Sequence, residues 1–407
     1  MTAAENKTFW NRDFILALLG YFFLFMSISL FFLYPLFFKQ FDTSETRVGL
    51  IMGVHSLMAI FIRPFFGRLI DVRGRKEVSL SGIGLLIIIM PLFHLVRDAG
   101  IFPLVLRGLT GLGWGISMTA TITICSDLAP VEKLAHSMGI IGVAGLVASA
   151  LGPVLAEETL GRFGFTGLFL VSSAFLAAAF VCILATREAP RVISRRRKGH
   201  IDLRKRFSIL TIAVIAALPV FHGAVRSAVV YFIALFGRSI PVDRVGPFFF
   251  SFSAAAILTR LWIGDISDRY GRKRVIFPAA CIISLNCVLI SSVESQAMFI
   301  LTGFIGGFGQ GLIFPALSAY IIDILGRENK GLALSLYLSL FDVGMGVGSP
   351  FFGWISDLSG YRTMYLIAGA IFFVFAALFA LKAPPSPTPA DGLPSDREND
   401  RIPEWRN

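Results

Sequence analysis

The chain has 407 residues, of which 55% are hydrophobic and only 15% are charged, and its mean hydropathy is +0.75. A soluble domain carries roughly 25% charged residues, so this composition excludes an ordinary soluble protein, and the surplus apolar surface must face lipid. The net charge of +11 does not indicate a nucleic-acid partner, because the basic residues concentrate in alternate connections between apolar segments.

Twelve apolar segments are each about as long as the roughly 20 residues that a membrane span requires. Because backbone groups in hydrocarbon must form their hydrogen bonds within the segment, we predict that all twelve are helices. Runs such as residues 85–89 lack the alternation of a barrel strand. The predicted spans are residues 14–37, 47–70, 77–96, 101–124, 134–157, 165–186, 208–236, 245–264, 275–293, 297–322, 331–354 and 361–381.

Most of the 37 lysines and arginines fall on the side of the membrane that holds the N-terminus. Since cytoplasmic loops are enriched in Lys and Arg, we predict a multi-pass protein of the cytoplasmic (inner) membrane with both termini in the cytoplasm. The predicted domains are an N-terminal six-helix bundle at 1–186, a basic cytoplasmic linker at 187–207, a C-terminal six-helix bundle at 208–382 and a disordered tail at 383–407.

One short motif occurs twice, each time between two apolar segments. The first copy runs from Gly67 to Lys76 and the second from Gly264 to Lys273, 197 residues later, and Gly, Asp, Gly, Arg and Lys match at identical spacing. The second glycine of each copy permits a turn with positive φ, and the aspartate can cap a helix N-terminus. The repeat divides the chain into two six-helix halves, and parallel halves of this kind place a binding site at their interface near the midplane.

A repeated G-x-x-x-D-x-x-G-R-K between spans resembles the loop after the second helix of each half in the major facilitator superfamily. The resemblance implies an all-α membrane fold of twelve helices in two pseudo-symmetric six-helix bundles. It also implies that the two loops latch the cytoplasmic side, and a purely topological role for their charges is the alternative. The implied gating residues are Gly67, Asp71, Arg73, Arg75, Gly264, Asp268, Arg269 and Arg272, with Arg63 and Arg260 either in the same latch or reaching towards the interface.

Arg107 lies inside the fourth span and begins the pattern R-x-x-x-G-x-G. A charged residue in hydrocarbon costs ~2.5 kcal/mol or more and usually faces a cavity or a partner. The pattern resembles the fourth-helix motif of proton-coupled members of the superfamily, which implies a role for Arg107 in proton transfer or charge balance. The alternative is a structural arginine that bonds to carbonyls or carboxylates.

In the superfamily the first, fourth, seventh and tenth spans line the cavity, and several polar or aromatic residues of this chain fall on them. Two cations among them would favour an anionic or zwitterionic substrate, although either arginine could instead pair with a carboxylate. The candidate substrate contacts are Arg107, Arg226, His222, Gln310 and Trp114.

Asp342 is an acidic residue near the middle of the eleventh span, where it can gain and lose a proton during a transport cycle. Spans 2 and 11 meet in the superfamily, so His55 is its expected partner. The proton-coupling candidates are therefore Asp342, Arg107 and His55.

Glu157 and Glu158 end the fifth span and are expected to be solvated. Elsewhere, Asp127 and Asp323 occupy matching helix ends and are expected to pair with nearby arginines.

No enzyme or nucleotide-binding motif occurs, and none of the four cysteines has metal-ligand spacing, so we predict neither enzymatic activity, nor a bound metal, nor a cofactor. A proton gradient is the expected energy source. The fifth span resembles the antiporter motif of the superfamily in part. We therefore predict a monomeric secondary transporter that exports a small organic or amphiphilic compound by proton antiport. The alternatives are a proton symporter that imports an organic anion and a transport-inactive receptor or scaffold.

Overall fold

The computed structural model describes residues 10–130, 133–187, 208–263, 266–326 and 329–385, with residues 62–72, 134, 135, 263, 268 and 269 described for their backbone only. Regular structure in these ranges is helical throughout, which confirms the predicted all-α membrane fold. Most of the predicted linker and tail lies outside the described residues.

The helical spans of the described residues are numbered α1 to α12 in chain order. Short helices Phe31–Leu33, Pro35–Phe38 and Lys39–Phe41 continue α1, and Ile266–Tyr270 continues α8. The spans are α1 Arg12–Leu30, α2 Glu45–Arg73, α3 Arg75–Leu92, α4 Ile101–Leu128, α5 and α6 within Leu134–Ala185, α7 Ile209–Arg238, α8 Gly246–Ile263, α9 Arg272–Ser291, α10 Gln296–Leu325, and α11 and α12 within Lys330–Lys382.

Two of these helical stretches are twice the length of a span, and each is folded at a glycine. Gly164 has φ 62° and Gly360 has φ 80°, values that a residue without a Cβ adopts readily. The first stretch therefore divides into α5 at 134–163 and α6 at 165–185, and the second into α11 at 330–359 and α12 at 361–382. The turns between these pairs are shorter than the sequence predicted, because one glycine reverses the chain direction.

Gly74 and Gly271 precede α3 and α9 with φ values of 106° and 89°. The predicted positive-φ turn in each copy of the repeated motif is thereby confirmed. We call the end of the bundle that carries these two glycines the motif end, and the opposite end, where α2 and α8 begin, the far end.

The two halves of the chain meet mainly where α2 packs against α11 and where α5 packs against α8. Gly49 of α2 lies against the backbone of Ser349 and Pro350, and Gly246 lies against Val154 of α5. Small residues allow this close approach, which matters in a bilayer because lipid tails give helices little hydrophobic reason to associate. The two interfaces hold a central region that both halves line.

Candidate functional site

Arg107 is the largest fully buried side chain that the structure describes, with 2% of its surface exposed. The guanidinium lies 5.6 Å from the ring centre of Phe31 and 5.8 Å from that of Tyr34, so two aromatic faces partly replace its hydration. Its Nε and Nη1 atoms and the Tyr34 hydroxyl have no hydrogen-bond partner among the described residues. No carboxylate among the described residues pairs with Arg107, and breaking or lacking such a pair leaves a buried charge uncompensated.

His55 lies beside this arginine. Its Nδ1 atom is 3.2 Å from the hydroxyl of Thr110 on α4, and the pairing of His55 with Asp342 stays a prediction. The sequence placed both residues near the centre of packed helices, but it did not determine which way each helix is rotated.

Tyr231 of α7 connects the two halves at the centre. Its hydroxyl is 3.5 Å from that of Ser56 on α2, and it is close enough to Arg107, Arg226 and Asp342 to interact electrostatically with each. Tyr231 is a candidate that the sequence by itself did not indicate. The available signal was a tyrosine inside an apolar span, one turn and a half beyond Arg226.

Arg226 and His222, one turn apart on α7, occupy neighbouring parts of the central region. The Arg226 guanidinium lies 4.3 Å from the ring centre of Phe252 on α8. His222 Nε2 donates a hydrogen bond to Gln310 Oε1 at 2.9 Å, which brings two of the predicted substrate contacts together. Trp114 instead packs edge-on against Phe25 of α1, at 5.4 Å between ring centres.

Arg260 of α8 has described neighbours in both halves of the chain. Its guanidinium is 5.8 Å from the ring centre of Phe314 on α10, and it approaches Gly142 of α5. It is also close enough to Tyr21 and Tyr337 to interact with their hydroxyls. Arg260 therefore projects between the halves, and it forms no ion pair with a described residue.

The central region carries more positive than negative charge. Among the described side chains of this region, Arg107, Arg226 and Arg260 are cationic, and Asp342 is the single carboxylate. Asp342 is close enough to Tyr231 of α7 and Tyr337 of α11 for its charge to act on both hydroxyls.

The repeated motif contributes two ion pairs at the motif end. Arg75 pairs with Asp127 of α4, and Arg272 Nε lies 3.4 Å from Asp323 Oδ2 of α10. The predicted pairing of the two helix-end aspartates with arginines is confirmed. Arg73 is exposed. The side chains of the other gating candidates, Gly67, Asp71, Arg63, Gly264, Asp268 and Arg269, lie outside the described residues, so the gating role stays a prediction.

Two carboxylates at the far end each cap a helix of the opposite half. The Val245 and Gly246 amides at the start of α8 donate to Glu157 at 2.8 and 2.9 Å. The Glu45 and Thr46 amides at the start of α2 donate to Asp357 at 2.7 and 2.8 Å. The expectation that Glu157 is merely solvated is therefore wrong.

These two caps are related by the symmetry of the halves, because Glu157 and Asp357 are 200 residues apart and so are Glu45 and Val245. Further bonds reinforce them: Tyr361 donates to Glu45 at 2.5 Å, and Ser349 donates to the Gly49 carbonyl at 2.7 Å. The far end is closed in this structure.

A cavity of about 980 Å³ opens at the far end, where its walls include Arg97, Arg238 and Arg244. None of the predicted substrate contacts lines it. It is an external recess beside the Glu157 cap, separate from the central region.

The chain matches a family model and resembles characterised proteins. The family model described as Major Facilitator Superfamily matches residues 17–245 and 220–406. The multidrug resistance protein MdtG of Escherichia coli (strain K12 / DH10B) is 25% identical over 391 residues, which cover 92% of this chain and 95% of MdtG.

Solved structures of other transporters share the fold at low sequence identity. The nucleoside transporter NupG is 14% identical with a TM-score of 0.76, and the match covers 90% of this chain and 99% of that one. The human organic anion transporter MFSD10 (TETRAN) is 16% identical with a TM-score of 0.66, covering 90% and 98%.

Proposed function

This chain belongs to the major facilitator superfamily and is a membrane transporter, and we propose that it exports small organic zwitterions or amphiphiles across the cytoplasmic membrane in exchange for protons. The name of the Escherichia coli relative, a multidrug resistance protein, supports export. The sequence carries no phosphate-binding loop, so an ion gradient would drive the transport.

The charge balance of the central region supports an anionic group on the substrate. Three arginines share the region with the single described carboxylate of Asp342, and two buried nitrogens of Arg107 have no hydrogen-bond partner among the described residues. A bound carboxylate or sulfonate would offset part of the cost of burying these cations. Arg107, Arg226 and the His222–Gln310 pair are our candidates for this contact.

A cationic or hydrogen-bond-donating group on the same substrate would explain exchange for protons. Such a group would bind ionised Asp342, and a proton on Asp342 would weaken that contact. Each ligand would therefore lower the affinity of the other, which is the negative coupling that antiport requires. Because the far end is closed in this structure, exchange with water in this state would take place at the motif end.

A purely anionic substrate favours the second candidate, a proton symporter that imports an organic anion. Protonation of Asp342 makes the central region more positive, so a proton and an anion would each strengthen the binding of the other. The same central region can therefore couple a proton to the two substrate classes with opposite sign.

We expect purified protein in proteoliposomes to reveal that sign. Matched pairs of compounds would be tested, each a zwitterion and its N-acetylated, purely anionic analogue. Under our proposal, acid-loaded vesicles in alkaline buffer accumulate the zwitterions above the level in protein-free vesicles. Accumulation of the anions alone, and only with acid outside, would replace antiport by symport. If no pair shows either flux or ligand-induced thermal stabilisation, that result would favour the transport-inactive receptor.

A further inference from the structure

Arg260 occupies a place that the gating interpretation does not explain. Its neighbours come from both halves: Gly142 of α5 and Tyr21 of α1 on one side, Phe314 of α10 and Tyr337 of α11 on the other. It lies one turn before the end of α8, so this cluster is on the route between Asp342 and the motif end.

The hydrogen-bond donors of this cluster have no acceptor among the described residues. Arg260 Nε and the Tyr337 hydroxyl are both buried without a hydrogen-bond partner, and Tyr337 is 0% exposed. Neither residue makes an ion pair or hydrogen bond within the described part of the chain. A guanidinium can only donate, and a tyrosine hydroxyl can donate as well, so one anionic acceptor would satisfy both.

The walls of the cluster are aromatic. Phe314 packs edge-on against Tyr337 with 5.3 Å between ring centres, and Tyr21 packs against Phe25 at 5.8 Å. On α5, a Cβ added at Gly142 would lie 3.0 Å from Arg260 Nη1. The absence of a side chain there leaves room for the guanidinium in its present position.

We propose that Arg260 and Tyr337 form a subsite for the carboxylate or sulfonate of an aromatic organic anion, with Phe314 and Tyr21 packing against the ring system. The subsite lies on the path of the proposed transport and in that sense rests on the proposed function. Its test is a binding measurement that does not depend on flux.

The probes are naphthalene-2-sulfonate, the neutral naphthalene-2-sulfonamide of nearly the same shape, and the non-aromatic cyclohexanesulfonate. Binding to the purified full-length protein in detergent is measured by calorimetry. We expect the aromatic sulfonate to bind at least roughly tenfold more tightly than either analogue, since a charge-assisted hydrogen bond and ring packing are each lost in one of them. Equal binding of sulfonate and sulfonamide overturns the proposal.

Four variants identify the residues. We expect R260Q to weaken sulfonate binding at least roughly tenfold, and R260K to bind less tightly than wild type because lysine lacks the planar fork. Y337F loses one donor, and G142A displaces the guanidinium without changing charge, so both should also weaken binding. R162Q is the matched control, because Arg162 is exposed at the far end, and its affinity should equal that of wild type.

Thermal stability without ligand separates recognition from a structural role. Because Arg260 makes no ion pair or hydrogen bond within the described residues, R260Q should unfold at the wild-type temperature or above it, and a large decrease would overturn the assignment. If R260Q cannot be purified, R260K and Y337F carry the same test. Binding that persists without any gradient-driven flux would reject the proposed function and keep the subsite. Normal flux together with wild-type sulfonate affinity in R260Q and Y337F would reject the subsite and keep the proposed function.

Discussion

Replacing Asp342 with asparagine should abolish proton-driven accumulation of the substrate while leaving substrate–substrate exchange in place. Asparagine has nearly the same shape but cannot take up a proton, so the cycle loses its proton step and keeps its binding site. One pH unit is worth about 1.4 kcal/mol per proton, enough for roughly tenfold accumulation at one proton per substrate. In the D342N variant we expect a ratio of inside to outside concentration of about one.

The measurement uses proteoliposomes with a one-unit pH difference, followed by exchange of labelled substrate without a gradient. Asp243→Asn is the matched control, since Asp243 is an exposed carboxylate in the wall of the far-end recess. It should accumulate substrate like wild type. If the D342N variant still accumulates substrate to a higher concentration inside than outside, Asp342 does not carry the proton.

Removal of the two caps should shift the protein towards a state that is open at the far end. Each carboxylate accepts two backbone amides of a helix in the other half, and these bonds can exist only while that end is closed. A helix-capping interaction is worth about 0.5–2 kcal/mol. The double variant Glu157→Ala, Asp357→Ala should therefore favour the open state by roughly 1–4 kcal/mol, a change of about fivefold or more in the ratio of the two states.

Spin-label distances across the far end would report this shift. Labels at Gly161 and Leu358, both exposed residues of opposite halves, are introduced after replacement of the four native cysteines. We expect a longer distance component to grow in each single variant and further in the double variant. Glu158→Ala serves as the control, because the neighbouring Glu158 is exposed and, among the described residues, pairs with Arg162 of its own helix turn. An unchanged distance distribution in the double variant would show that the caps do not hold the closed state.

Features that depend on local sequence were predictable. A long apolar run in hydrocarbon must be a helix, and a glycine between two such runs can take positive φ, as Gly74 and Gly271 do. The pairs Arg75–Asp127 and Arg272–Asp323 also followed, since helix ends at the same membrane face bring opposite charges together.

The Glu157 and Asp357 caps were not predictable from the repeat. The motif copies at Gly67 and Gly264 are 197 residues apart, whereas the caps are separated by 200, so the symmetry is displaced by almost one helical turn. A carboxylate at the end of an apolar segment is usually solvated, and its amide partners lie 88 and 312 residues away along the chain.

Composition, apolar length and charge distribution by themselves determined that this chain forms helices across a membrane in two related halves, because hydrocarbon leaves the backbone no other way to bond. Only the tertiary structure decided the partners of the side chains inside. A helix position fixes depth in the membrane, while rotation and packing against distant helices decide that His55 bonds Thr110 and that Arg260 faces Tyr337.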